Sequence, residues 1–166
     1  IAIGFIGSEN IPLTSLIGLI LIIVGLLFKV AAAPFQAWAP DVYQGSPTGY
    51  VGYMASVAKA SSFIVLARLS AVSLTFIIEK FNLFFTAVIM LSVLLGALFA
   101  TNQTDLKRLI AYSGVIQSGF ILSGISFGVY GISASIFYLS TYIIQLIGVF
   151  TICLLYTSPS PRDGRE

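Results

Sequence analysis

Apolar and polar residues along this chain are segregated rather than interleaved. The stretches 13–28, 81–104 and 109–161 contain no Asp, Glu, Lys or Arg. A helix needs about 20 apolar residues to cross the ~30 Å hydrocarbon core of a bilayer. A barrel strand would instead alternate apolar and polar positions over segments of about 10 residues. The runs here are continuously apolar, so the pattern predicts helices. Five passes are expected: 13–44 with an interruption, 48–70, 82–101, 106–126 and 131–155. The last uncharged run holds two of them, hinged near 127–131, where Gly128 and Gly131 flank Tyr130. Residues 1–11, with Gly4, Gly7 and Glu9, read as a loop, and 71–78 as a helical overhang ahead of Glu79 and Lys80. The predicted fold class is therefore an all-α integral membrane protein of about five transmembrane helices, the first discontinuous.

Composition narrows the picture further. Hydrophobic residues make up 58% of the 166 and charged residues 8%, against about 25% charged in a soluble domain. Eight Lys and Arg against six Asp and Glu form no basic patch of the kind nucleic acid requires, so no nucleic-acid partner is expected. Histidine is absent and Cys153 is the one cysteine. Zinc, haem and iron–sulfur ligation, an internal disulfide and a Ser-His-Asp triad are thereby excluded. No metal site and no cofactor site is expected in this chain. Residues 1–11 lack the pattern of a signal peptide. From Cys153 the text turns abruptly to CLLYTSPSPRDGRE, and CLLYTSPSPRD resembles a translated sequencing adaptor. Residues 153–166 are read as an artefactual tail without function, and the chain as a fragment of a larger protein. Lys107 and Arg108, in the loop between the third and fourth passes, weakly favour the cytoplasmic side for that loop and for 41–48.

Two charges lie inside the apolar runs. Lys29 follows the uncharged stretch 13–28 and precedes Pro34 by five residues. Lys59 lies about 18 Å along a helix from Pro47, close to the bilayer midplane. An ionisable group at that depth normally faces a bundle interior or a wet cavity. A desolvated lysine can gain and lose a proton near neutral pH, whereas arginine holds its charge. Snorkelling to an interface is the plainer reading for either lysine, and it suits Arg68 and Lys80 better.

The stretch FKVAAAPFQAWAPDVYQGSPTGY places Pro34, Pro40 and Pro47 close together. Pro34 within an apolar helix removes a backbone hydrogen bond, and the freed carbonyls must be satisfied by protein or cavity water. Discontinuous helices mark ion sites in transporters, though a plain kink is the simpler alternative. Ser56, Ser61 and Ser62 flank Lys59, Ser113, Gln117 and Ser118 lie on the fourth pass, and Thr141 and Gln145 share a face of the fifth. Such groups either line a path or bond a neighbouring helix. Pro34, Ser56, Ser113, Gln117 and Gln145 are the candidates for path-lining or helix-break roles.

Three ordered segments carry a family resemblance: FKVAAAPFQAWAPDVYQGSPT, ASVAKASSFIVLARL and NQTDLKRLIAYSGVIQSGFIL. Together they resemble the antiporter-like membrane subunits of proton-pumping NADH:quinone oxidoreductase, respiratory complex I. The wording DVYQGSPT sits nearest the branch known as subunit N or subunit 2. The resemblance covers about residues 12–150. It implies an inverted-repeat fold in which each five-helix repeat carries a broken helix with a key ionisable residue. The first two passes here would close one repeat and the next three open the second. By resemblance, Lys29 matches the proton carrier at the broken helix and Lys59 the relay lysine on the following helix. The family's paired glutamate and its second broken-helix lysine lie outside this stretch, and Glu9 does not replace the former. Gly49-Tyr50 departs from the usual Pro-Val.

The function so implied is proton translocation coupled to quinone reduction. NADH, FMN, iron–sulfur clusters and quinone would be held by partner subunits. The expected surroundings are the other membrane subunits of complex I, lipid, protons and water, in a bacterial inner (plasma) membrane rather than an organellar one. A multisubunit Na⁺/H⁺ antiporter is the main alternative, and a structural scaffold a third.

Overall fold

The computed structural model describes residues 13–72 and 82–157. Within them the chain is helical, with short connections. The expected first pass resolves into α1, Leu13–Lys29, and α2, Trp38–Gly45, separated by the non-helical residues 30–37. A second pass begins with α3, Thr48–Tyr53, continues through a π-helical turn at Met54–Ala58, and ends as α4, Lys59–Val72. Then come α5, Asn82–Ala100, α6, Leu106–Ser126, and α7, Gly128–Thr157. Among the described residues, four stretches are long and apolar enough to cross a membrane: Thr48–Ala71, Asn82–Ala100, Leu106–Ser126 and Tyr130–Tyr156. Leu13–Lys29 is a shorter apolar helix.

Local chemistry accounts for most boundaries. α1 gives way to a left-handed turn at Ala31, whose φ is 56°. That conformation costs a residue with a Cβ about 1–2 kcal/mol, so the surrounding packing must hold it. The Ala33–Pro34 peptide is cis. Ser46 ends α2 in an extended conformation, φ −99° and ψ 152°, as the residue before a proline prefers. Asp105 opens α6 as an N-cap, its carboxylate accepting from the Lys107 and Arg108 amides at 2.8 and 3.2 Å. Between α6 and α7 the chain turns at Gly128, whose φ is +72°. The hinge falls within the predicted segment.

Helix α6 is the centre of the fold, packing against α5, α7 and α2. Small residues on both helices let α5 come close: a Cβ on Gly96 of α5 would lie 2.6 Å from the Ile116 side chain, and one on Gly119 of α6 2.9 Å from that of Val93. One apolar cluster joins Ile23 and Leu27 of α1, Phe63 and Leu66 of α4, Val88 of α5, Ile121 and Leu122 of α6, and Leu139 of α7. A second joins Tyr43, Val51, Ala55, Ile110, Ala111, Tyr142, Leu146 and Phe150. Large apolar side chains such as Leu94, Leu98, Phe137, Ile144 and Leu155 face outward, which suits helices whose solvent is hydrocarbon.

Helix α7 runs through Thr157, and Cys153 packs against the second cluster. The stretch from Cys153, read from composition as the start of a tail, is thus helical for its first residues. The remainder of that tail, the loop 1–11, Glu79, Lys80 and most of the overhang at 71–78 lie outside the described residues.

Candidate functional site at the helix break

Breaking a membrane helix exposes backbone groups that hydrocarbon cannot solvate. Here Val30, Ala32 and Ala33 are completely buried, so the accounting must close within the protein. Val30 and Ala32 amides still donate back into α1, to Leu26 and Leu27 at 3.0 Å. The Val30 carbonyl accepts from the Ser118 hydroxyl of α6 at 2.9 Å. The Ala33 amide donates to the Ser92 hydroxyl of α5 at 2.9 Å, and Ser92 donates onward to the Val88 carbonyl. Two serines from separate helices therefore replace the bonds the break removed. Trp38 bridges the gap, its indole N–H donating to the Phe28 carbonyl at 3.0 Å and its ring stacking on Phe28. Beside the break, the buried Gln36 Oε1 has no hydrogen-bond partner among the described residues.

Lys59 is buried, with 6% of its surface exposed. The π-helical turn immediately precedes it and offsets its register from that of α3. Its ammonium donates to the carbonyl of Gly114 on α6 and lies 6.0 Å from the centre of the Tyr142 ring on α7. Gly114 leaves little spare room: a Cβ there would sit 3.0 Å from the Tyr142 hydroxyl oxygen and 3.2 Å from Lys59 Nζ. The same Gly114 carbonyl accepts from Ser118 at 2.8 Å. A chain of polar contacts thus runs from Lys59 through Gly114 and Ser118 to Val30, the residue after Lys29.

Lys29 itself ends α1 with an exposed side chain, so the linkage reaches the backbone next to Lys29 and not its ammonium. Pro34 is exposed at the break. Ser56 is buried one turn before Lys59 and donates to the Gly52 carbonyl of its own helix. Ser113 and Gln117 are half-buried on α6, and Gln117 accepts from the Tyr138 hydroxyl of α7. Gln145 and Thr141 are exposed on α7. Sequence reasoning did not single out Ser92, Gly114 or Tyr142, and it named Ser118 only as a polar residue of the fourth pass. Small or hydroxylated residues at buried helical positions were the available signal, but the sequence holds many of them. Among the described residues, no group of three or more His, Cys, Asp or Glu gathers in a metal-holding arrangement.

A second polar cluster ties the break to the start of α6. Arg108 pairs with Asp41 at 2.7 Å and donates to Gln44 and Gln103, each at 3.0 Å. Lys107 donates to the Ser46 carbonyl at 2.9 Å. Lys107 and Arg108, expected from the sequence in a loop between passes, therefore clasp α2, and 41–48 and 105–108 share one side of the molecule.

A family model described as "NADH:quinone oxidoreductase/Mrp antiporter, TM" matches residues 7–162. NAD(P)H-quinone oxidoreductase subunit 2 of Crocosphaera subtropica is 38% identical over 158 residues, which is 95% of this chain and 30% of that protein. The chloroplastic subunit 2 of Mesostigma viride is 36% identical, over 98% of this chain and 33% of its own length. NADH-quinone oxidoreductase subunit N of Gluconacetobacter diazotrophicus is 37% identical, over 96% and 33%. The chain spans about a third of the length of these relatives.

Proposed function

This chain belongs to the membrane-spanning family shared by NADH:quinone oxidoreductase and the Mrp antiporters, and from that premise we propose that it is part of a proton-translocating subunit of NADH:quinone oxidoreductase. The subunit is of the N or subunit 2 type, as the named relatives are. It works within the oxidoreductase complex, in a bacterial inner membrane, beside the other membrane subunits. NADH, FMN, iron–sulfur clusters and quinone belong to partner subunits, and this segment carries protons, using lysines in place of a redox centre.

The observation that carries this reading is Lys59, buried and bonded to a backbone carbonyl that is itself joined to a helix break through Ser118. An ionisable group at this depth pairs with an opposite charge, which holds its proton, or with a backbone carbonyl. Among the described residues Lys59 has the carbonyl, which accepts hydrogen bonds from the ammonium yet leaves it able to release a proton. Lys29 is the carrier at the break, and its partner carboxylate comes from a helix outside this segment. Ser56, Ser113, Gln117 and Gln145 are proposed to line or support the path, and Pro34 to maintain the break.

The test uses the full-length subunit in its assembled complex, with proton uptake and NADH oxidation followed in membrane vesicles. Lys59→Ala and Lys29→Ala should each lower proton uptake on the order of tenfold or more, as loss of a positioned proton-transfer group does. Lys29→Arg should also impair uptake, because arginine keeps its proton. Wild-type pumping by both alanine variants at normal assembly would leave the lysines as scaffold only. The matched family also includes antiporters; uptake that depends on Na⁺ but not on NADH would favour that second reading.

A further inference from the structure

The Ser118 hydroxyl faces two acceptors with one proton to give. Its oxygen is 2.9 Å from the Val30 carbonyl at the helix break and 2.8 Å from the Gly114 carbonyl. Ser118 is completely buried, and so is Val30, so bulk water does not compete for either bond. Gly114 presents the carbonyl to which the Lys59 ammonium also donates. The hydroxyl is therefore shared between the backbone that Lys29 leads into and the carbonyl that holds Lys59.

We propose that Ser118 is a positioning residue that couples the helix break to Lys59. While the Lys59 ammonium donates to the Gly114 carbonyl, that oxygen is the weaker of the two acceptors, so the single Ser118 proton favours Val30 and braces the break. When Lys59 withdraws, the Gly114 carbonyl becomes the better acceptor for the Ser118 proton, and the Val30 carbonyl loses the one side-chain donor it has among the described residues. A buried carbonyl so released favours a changed backbone arrangement at residues 30–33. The break that follows Lys29 is thereby coupled to Lys59 through a single hydroxyl. Rigid elements with two discrete hydrogen-bond arrangements carry coupling in just this manner. The proposal rests on the reading of Lys59 as a proton carrier.

Other features carry less. The shallow cleft between α3 and α7, lined by Thr48, Ser56, Phe150 and Thr151, shows nothing of what would fill it. The Arg108–Asp41 clasp is accounted for by the packing of α2 on α6.

The experiment places Ser118→Ala and Ser118→Thr in the full-length subunit, alongside Lys59→Ala, and measures proton uptake per assembled complex in vesicles. Ser118→Ala removes one oxygen and should assemble while lowering uptake about threefold, within the range by which coupling residues act. Ser118→Thr keeps the hydroxyl and should recover most of the loss; if the added methyl prevents accumulation, Ser118→Cys, a weaker donor, should recover part of it. A loss in Ser118→Ala that neither hydroxyl nor thiol restores would show a packing role and overturn the proposal. So would wild-type uptake by Ser118→Ala while Lys59→Ala is impaired, and that result would leave Lys59 as a carrier. Wild-type uptake by Lys59→Ala would instead remove the underlying reading and this coupling with it.

Discussion

At the scale of single residues, the serines divide sharply by what they bond. Ser61 and Ser140 are exposed and return their hydroxyls to carbonyls of their own helices, at Ala58 and Ile136. Ser92 is completely buried and accepts from the Ala33 amide at the break. Replacing Ser92 by Ala leaves that amide buried without a partner, which costs about 1–3 kcal/mol. Ser140→Ala removes a bond that the helix does not need. Ser92→Ala should therefore lower the heat stability of the assembled complex, and Ser140→Ala should not. Equal behaviour of the two variants would show that the break finds its donors and acceptors elsewhere. Nothing in the one-dimensional text separates these serines. Each sits in an apolar helix, and only the facing backbone distinguishes them.

At the scale of elements, helix starts are more legible than helix partners. Asp105 stands before the apolar run that becomes α6, and its carboxylate caps the Lys107 and Arg108 amides. An Asp just before such a run is an N-cap signal. Asp105→Ala should destabilise α6 by about 0.5–2 kcal/mol, while Asp105→Asn, which keeps the acceptor oxygen, should restore most of this. Heat inactivation of the two variants in membranes checks it; an Asn variant as weak as the Ala variant would point to charge rather than capping. The π-helical turn before Lys59 is the opposite case. Met54–Ala58 contains no residue that demands five-residue hydrogen bonding. The turn arises where α3 packs on α7 and α4 must present Lys59 to α6, so it belongs to tertiary fit.

At the scale of the whole molecule, two of the three sequence segments that carried the family resemblance turn out to hold one another. DVYQGSPT supplies Asp41, Gln44 and the Ser46 carbonyl, and NQTDLKR supplies Gln103, Lys107 and Arg108. Asp41 is largely exposed, so screening limits the strength of the ion pair; its value is in fixing where α2 lies on α6. Asp41→Arg and Arg108→Asp should each reduce assembly of the complex, and the double exchange should recover it in part. Native electrophoresis of the membranes reads the outcome. Recovery that fails completely would show that the neighbouring glutamines, rather than the opposite charges, set the geometry.

The sequence by itself determined that this is a helical membrane protein, where its apolar runs lie, and that the first helix breaks near Pro34. Those follow from hydrophobic continuity and from the missing amide of proline, which act locally and need no partner. It also marked Lys59 as anomalous, because a charge in an apolar run is conspicuous on the page. The tertiary structure decided what that charge meets. The Gly114 carbonyl, the nearby Tyr142 ring and, through Gly114, Ser118 come from helices whose own sequences show only a glycine, an aromatic and a small polar residue, none unusual in a membrane helix. Lys29, equally conspicuous in the text, projects away from the described core, while Lys59 is enclosed. Two lysines with similar apolar surroundings in the chain differ because burial depends on which helix faces pack together, and that depends on helix rotation and crossing rather than on neighbours in sequence.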